Sequence, residues 1–350
     1  MKVDFLLIGQ GIAGTVLSYQ LMQDGKTVMV LDTPAKNNST RVAAGLYNPI
    51  TGRKMVKTWR ADDLFPEIIP LYSQLEKLIA KTFIYPAGIY RPFFGVEEQN
   101  EWMGKSSEPE VIPYLQGVKM QPYYPEVNNP HGGILLQNSG YLDLPTLMDG
   151  YREHLSRNKA VREEEFDEEF LLKKEDHWEY KDIEFSKLIY CNGLGAMKSS
   201  FFGKLPFAPV KGEILEISSD FQPRDVINRG VFRITMPDGR VRVGSTYSWH
   251  DLEDGPTEQG REEVLERLEK IVPGQVQGIL SHKSGIRPAT KDRKPFLGKH
   301  PEEESVYIFN GFGAKGVSLV PYFSKMMLRL LIEDIEPEKD VNISRFFNYI

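Results

Sequence analysis

Two glycine-rich turns stand near opposite ends of the 350-residue chain, and both could bind an anion. Gly9, Gly11 and Gly14 lie in "LLIGQGIAGTVLSYQL", and Gly311, Gly313 and Gly316 lie in "NGFGAKGVSLVP". A glycine turn that opens a helix presents free N–H groups and a partial positive charge to whatever sits at the helix N-terminus. In the first turn each glycine has a reason. Gly9 makes the tight turn, Gly11 lets the backbone approach a pyrophosphate, and Gly14 lets helix and strand pack closely. Ile12 and Ala13 open the helix, and Asp32, followed by Thr33, stands where a ribose hydroxyl pair could donate to it. This constellation predicts a dinucleotide site, without separating NAD from FAD, because both carry an adenosine diphosphate.

The elements around the first turn are those a dinucleotide site requires. "VDFLLIG" (3–9) reads as a buried parallel strand, "AGTVLSYQLMQDG" (13–25) as a helix stopped by Gly25, and "KTVMVLD" (26–32) as a second strand. Adenine nucleotide recognition is complete after one such unit. The second strand–turn–helix, "VYIFNGFGAKGVSLVPYFSKMMLRLLI", therefore has another target. In an extended FAD that target is the isoalloxazine edge, which becomes anionic on reduction, and a helix N-terminus aimed at it would stabilise the charge. The contact set expected there is Gly311, Phe312, Gly313, Ala314, Lys315, Gly316 and Val317. This second turn disfavours an NAD-dependent dehydrogenase.

Between the turns, 61–85 carries a helical pattern, 86–140 short strands and loops with one small helix near Trp102, and 143–157 another helix. The acidic stretch 161–185 reads as a solvated hairpin surface. "SKLIYCNGLGA" (186–196) repeats the strand-then-glycine theme. Segments 210–218, 230–239 and 240–248 alternate as antiparallel strands do, and 258–274 is an amphipathic helix ended by Pro273. Alternation along 240–248 places Arg242, Gly244 and Thr246 on one face and Val243, Ser245 and Tyr247 on the other.

Composition bounds the function. The chain is 41% hydrophobic and 26% charged, with net charge −6, a balance that leans against nucleic acid. The one cysteine, Cys191, allows neither an intrachain disulfide nor a zinc cluster of cysteines. Met1 leads almost at once into a strand, and no apolar run of about 18 residues appears, so a cytoplasmic protein with no membrane span and no metal is expected. The histidines are scattered, with no Ser/His/Asp or Cys/His arrangement.

At this point the chain resembles the FAD-dependent oxidoreductases of the D-amino-acid oxidase and glycine oxidase type. The resemblance rests on the two glycine turns together with "AAGLYNP" (43–49), "GYLDLPTLMDGYREHL" (140–155), "LIYCNGLGA", "APVKGEI" (208–214), "MPDGRVRVGST" (236–246) and "SGIRPATKDRKPFLG" (284–298), in that order. It implies an α/β fold, with a Rossmann-like FAD-binding domain interleaved with a mainly antiparallel α+β substrate domain. The expected boundaries are 1–60, 140–209 and 285–350 for the first, and 61–139 and 210–284 for the second.

The resemblance also places site residues. Ala43, Ala44 and Gly45 would pass the flavin where only small side chains fit, with Arg41, Leu46 and Asn48 as contacts. Asn192, Gly193 and Gly195 would form a turn near the cofactor, and Cys191 would be a small buried residue there. Neither His nor Cys stands where some relatives attach the flavin covalently, so FAD is expected to be non-covalent. Arg287, in "GIRPATKD", falls on the family's arginine for the substrate carboxylate, a role its planar fork suits. Tyr247 and Arg242 could line the pocket, and Lys315 could offset charge on the reduced flavin. The implied activity is oxidation of a C–N bond in a small amine, amino acid or N-substituted glycine by hydride transfer to flavin N5. The electron acceptor is left open. The alternatives are removal of a carboxymethyl group from a modified tRNA wobble uridine and a non-catalytic flavin-binding protein.

Overall fold

The computed structural model describes residues 1–33, 39–52, 55–253 and 255–349. Lys2–Ile8, Val28–Asp32 and Ile183–Tyr190 are apolar runs, and they form the centre of a mainly parallel sheet. Lys2–Ile8 lies between the other two, and Val306–Asn310 joins Ile183–Tyr190 on its far side, also parallel. Ile8 pairs with Tyr190, and Tyr190 with Ile308, so three strands end side by side. Each then enters a glycine turn, at Gly9, Gly193 and Gly311 respectively. The carboxyl edge of a parallel sheet is where such folds bind ligands.

The described residues form seven α-helices: α1 (Ile12–Gln23), α2 (Ser39–Val42), α3 (Ala61–Ile79), α4 (Val96–Lys105), α5 (Leu144–Arg157), α6 (Glu258–Glu269) and α7 (Gly316–Glu333). Helix α1 is buried around most of its circumference, consistent with its apolar sequence. It packs on α7, and a Cβ on Gly316 would lie 3.1 Å from Ile12 Cγ2. The two glycine turns, 300 residues apart in sequence, thus open helices that touch at their first turns.

The second large sheet orders Gly278–Arg287, Val210–Ser218, Val241–Gly244, Phe232–Thr235, Val226–Asn228, Ile89–Pro92, Gly133–Leu136 and Leu115–Lys119. All its pairings are antiparallel except that of Val226–Asn228 with Ile89–Pro92. One face of it, with Leu215, Val243 and Ile217, packs on Val264 and Leu268 of α6. Ile214 and Ile234, on the other face, join the core that also holds α1, α3 and α7.

Several expectations are corrected. The 161–185 stretch is not all solvated surface. Val161–Glu163 extends the parallel sheet beside Val28–Asp32, and Trp178 and Tyr180 are buried, because apolar residues within the acidic run alternate inward. The helix of 61–85 stops at Ile79, after which Ile84–Pro86 pairs with Gly140–Leu142. Helix α6 ends at Glu269, four residues before Pro273, with Thr257 accepting from the Gly260 N–H at its start. The strand over 240–248 ends at Gly244.

Candidate active site

The first turn behaves largely as its sequence implies. Gly9 has φ +96°, a left-handed conformation that glycine adopts without strain, and a Cβ there would lie 2.7 Å from Asn192 Cα. A Cβ on Gly14 would lie 1.9 Å from the Gly9 carbonyl oxygen, so helix and strand approach as closely as backbone allows. Among the described residues a Cβ on Gly11 would meet only Thr40 Oγ1, at 3.3 Å, so the backbone there is open to a close approach. No side chain caps α1, although the Ile12 N–H donates to Thr40 Oγ1 at 3.2 Å. Ile12 and Ala13 are buried, so only their backbone faces the turn, whereas Thr33 is exposed.

Asp32 is more engaged than expected. Its carboxylate accepts from the Gln10 N–H at 2.8 Å and from Arg152 Nη1 at 2.9 Å. Burial raises its pKa, with Gln10 and Arg152 opposing that shift. Arg152, which also donates to Gln10 Oε1, was missed in the sequence because it lies on α5, 120 residues from its partner. Two lone-pair directions on Asp32 remain for a ribose. Arg41, on α2, pairs with Asp149 of α5 at 2.7 Å.

The neighbouring turns interlock. Asn310 Nδ2 donates to the Gly193 carbonyl at 2.9 Å, and the Gly313 N–H donates to the Pro288 carbonyl at 3.1 Å. Helix α7 has no side-chain cap, and with the Ser318 N–H already given to the Lys315 carbonyl, the Gly316 and Val317 N–H groups are the ones open to a ligand acceptor among the described residues. The Asn192 side-chain oxygen is buried without a donor among the described residues. An orphaned acceptor beside two uncapped helix starts fits a cofactor that brings its own polar atoms. Cys191 is buried, its thiol pKa pushed up by burial, and its Cβ lies against Gly14, so it serves as a small packing residue. Gly195 is required by Asn192, whose Nδ2 would lie 2.6 Å from a Cβ.

The structure gives a different reason for Gly45. At φ +74° its Cβ would lie 2.0 Å from the Leu142 carbonyl oxygen, so contact within the protein already demands glycine. Ala44 is buried and Ala43 partly so, while Leu46 pairs with Tyr141 in a short strand. Asn48 Oδ1 accepts from the Ile50 N–H at 3.1 Å, turning the chain. Phe312 and Val317 are buried in the core, Phe312 against Phe309, so their side chains pack and do not face the turn. Ala314 and Lys315 are exposed at its tip. The surrounding protein lowers the Lys315 pKa, and Arg293 adds to that shift.

Arg287 ends the edge strand of the second sheet. Its guanidinium lies on Gly212, where a Cβ would sit 1.9 Å from Nη2. Nη2 donates to Ser245 Oγ at 2.7 Å, and both Nη atoms reach the Thr246 carbonyl at 3.4 Å. The Tyr247 ring stacks on it, with its centroid 4.4 Å from Cζ. Ser245 and Tyr247 meet Arg287 with their side chains, as the two-face division has it, while Thr246 meets it only through its carbonyl and turns its hydroxyl to the Glu213 N–H. Arg242 is not part of this group. It pairs with Glu216 and Asp143, both at 3.2 Å, further along the sheet. Burial lowers the Arg287 pKa, with the Tyr247 hydroxyl opposing. Among the described residues no carboxylate pairs with Arg287; its acceptors are all neutral. Gly212 had no signal in the sequence beyond its place in "APVKGEI".

The family described as FAD dependent oxidoreductase matches residues 4–330. The chain belongs to that family. Its cofactor is accordingly FAD, and the glycine turns described above fit it. A glycine oxidase of Bacillus subtilis strain 168 is 30% identical over 155 residues, covering 42% of this chain and 41% of the relative. A Legionella pneumophila (strain Corby) protein, the tRNA 5-methylaminomethyl-2-thiouridine biosynthesis bifunctional protein MnmC, is 21% identical, covering 94% of this chain and 54% of the relative. The matches thus span well under two thirds of either curated relative. The solved glycine oxidase from Geobacillus kaustophilus has the same fold, with TM-score 0.80 at 18% identity, covering 99% of this chain and 98% of that one. Iminodiacetate oxidase from Chelativorans sp. BNC1 gives TM-score 0.79 at 20% identity, with 98% of each chain covered. Among the described residues no helix is long and apolar enough to cross a membrane, and no group of His, Cys, Asp or Glu is placed to hold a metal.

Proposed function

We propose that this chain oxidises the C–N bond of a small amino acid or N-substituted glycine, with Arg287 as the anchor for the substrate carboxylate. The observation that carries the reading is the Arg287 environment. A largely desolvated guanidinium, offered only neutral acceptors by the described residues, is incomplete without an anion. A carboxylate supplies that anion and matches the fork geometry. Bound so, the substrate is held by one end while Tyr247 covers the guanidinium. FAD, when bound, supplies the two-electron acceptor for the hydride leaving the α-carbon. The described residues offer no obvious general base at this group, and none is needed if the amine binds as its free base. Water then hydrolyses the imine product.

On this reading Gly9, Gly11 and Gly14 hold the pyrophosphate non-covalently, and the α7 N-terminus with Lys315 faces the ring edge. The cofactor domain comprises 1–60, 140–209 and 285–350, and the substrate domain 61–139 and 210–284. A cytoplasmic setting is part of the same proposal.

The test is anaerobic flavin bleaching by glycine, sarcosine, proline and D-amino acids beside their decarboxylated analogues. Carboxylated amines should reduce the flavin, and Arg287→Ala should lose roughly 30- to several-thousand-fold in kcat/KM, from about 2–5 kcal/mol of unpaired charge. Arg287→Lys should also be impaired, since an ammonium offers no fork. Full activity in a FAD-loaded Arg287→Ala protein would refute the anchor. A second reading, removal of a carboxymethyl group from a tRNA wobble uridine, is favoured by the match to the Legionella tRNA-biosynthesis protein over 94% of this chain. That substrate is itself an N-substituted glycine and would use Arg287 in the same way. Bleaching by modified tRNA but by no free amine would select it.

A further inference from the structure

We propose that Tyr247 and Trp249 form a second recognition element beside Arg287, a shelf for a flat, π-bearing group on the substrate. This rests on Arg287 as the carboxylate anchor and adds the chemistry of the substrate's other end, an aryl or heteroaryl group. Tyr247 is 53% exposed and Trp249 59% exposed, and they stand together, with ring centroids 6.4 Å apart and planes 32° from parallel. The Tyr247 ring also carries the Arg287 guanidinium at 4.4 Å. Guanidinium, phenol and indole therefore run in sequence out from the anchor.

The shelf is held in place. The Lys211 N–H donates to the Ser248 carbonyl at 2.9 Å, and the Ser248 N–H returns a bond to the Lys211 carbonyl at 3.0 Å. Lys211 Nζ, whose side chain is 1% exposed, pairs with Asp251 at 2.7 Å. Further along, Glu213 accepts from the Thr257 N–H and hydroxyl at 2.8 and 2.9 Å. An ion pair from a buried lysine, a two-bond bridge and a carboxylate clamp thus tie the segment that carries Trp249 to the strand that carries Gly212. Rings held open to water next to a guanidinium with no carboxylate partner among the described residues present large apolar area at little further ordering cost. Ring faces select planar groups, because a stacked arene keeps close contact over its whole face while a puckered ring of equal size cannot.

Equilibrium binding of acetate, cyclohexylacetate and phenylacetate to the FAD-loaded protein tests this, read by perturbation of the flavin absorbance and by tryptophan fluorescence. Phenylacetate should bind roughly tenfold or more tighter than acetate, and tighter than cyclohexylacetate. Trp249→Ala should remove roughly that tenfold for phenylacetate and leave acetate unchanged, while Trp249→Phe should keep most of it. In turnover, N-benzylglycine should exceed sarcosine in kcat/KM in the wild type, and Trp249→Ala should abolish that advantage. Equal binding of phenylacetate and cyclohexylacetate would overturn the flat-group assignment. An unchanged phenylacetate affinity in Trp249→Ala would overturn the shelf. Acetate binding that survives Arg287→Ala is a separate outcome, and it removes the anchor itself.

Discussion

Gly212→Ala isolates the proposed substrate anchor, Arg287, from the rest of the protein. A Cβ at this position would lie 1.9 Å from Arg287 Nη2, 2.3 Å from Cζ and 2.6 Å from Nη1. Ordinary van der Waals contact begins near 3.4 Å, so the guanidinium must retreat by about 1.5 Å, taking that spacing against the 1.9 Å approach. Such a shift breaks the 2.7 Å bond to Ser245 Oγ and rotates the fork off the Tyr247 face. The obstacle is the far end of a flexible side chain and not backbone, so the fold should tolerate the change. Misplacement of a substrate-positioning group by about 1 Å can cost roughly 100-fold. Loss of the bidentate contact would cost about 2–5 kcal/mol if it is complete. We therefore expect kcat/KM for a carboxylated amine to fall between roughly 30- and 1,000-fold, with FAD content unchanged and Tm nearly so. The assay is anaerobic stopped-flow flavin reduction across a substrate series, beside thermal unfolding. Wild-type reduction kinetics in a folded, FAD-loaded Gly212→Ala protein would refute the reasoning, because the guanidinium position would then not matter. A large drop in Tm would show instead that Gly212 serves packing.

Other expectations follow from the cofactor turn. Gly11→Val should abolish FAD binding, because a branched side chain fills space that among the described residues is bounded only by Thr40 Oγ1 at 3.3 Å; flavin fluorescence titration giving wild-type affinity would reassign the turn to structure. The purified protein should be yellow and should release all of its FAD into the supernatant on acid or heat denaturation, and flavin that stays with the precipitated chain would show a covalent link.

What the sequence could show by itself was local. The turn at Gly9–Gly14 is legible because strand, turn and helix are consecutive, and the demands on each glycine arise within a few residues. "NGFGAKGVSLVP" is legible for the same reason. The resemblance added Arg287, which sequence chemistry alone would not have separated from other arginines. What tertiary structure decided was every relation across the chain. Parallel pairing of Lys2–Ile8, Ile183–Tyr190 and Val306–Asn310 puts three glycine turns on one edge, and packing of α1 on α7 brings Gly316 to Ile12. Asp32 looked like a free acceptor until α5 delivered Arg152 to it. Gly45 has a demand for glycine that the sequence does not show, because the Leu142 carbonyl lies 2.0 Å from where its Cβ would be. Ser245 and Tyr247 share a face as the period-two reading has it, and only the sheet order showed that Arg287 is what that face meets. A side chain's spacing along the chain states which conformations are open to it. Which groups become its neighbours depends on strand order and helix packing, and those are set by burial summed over the whole core.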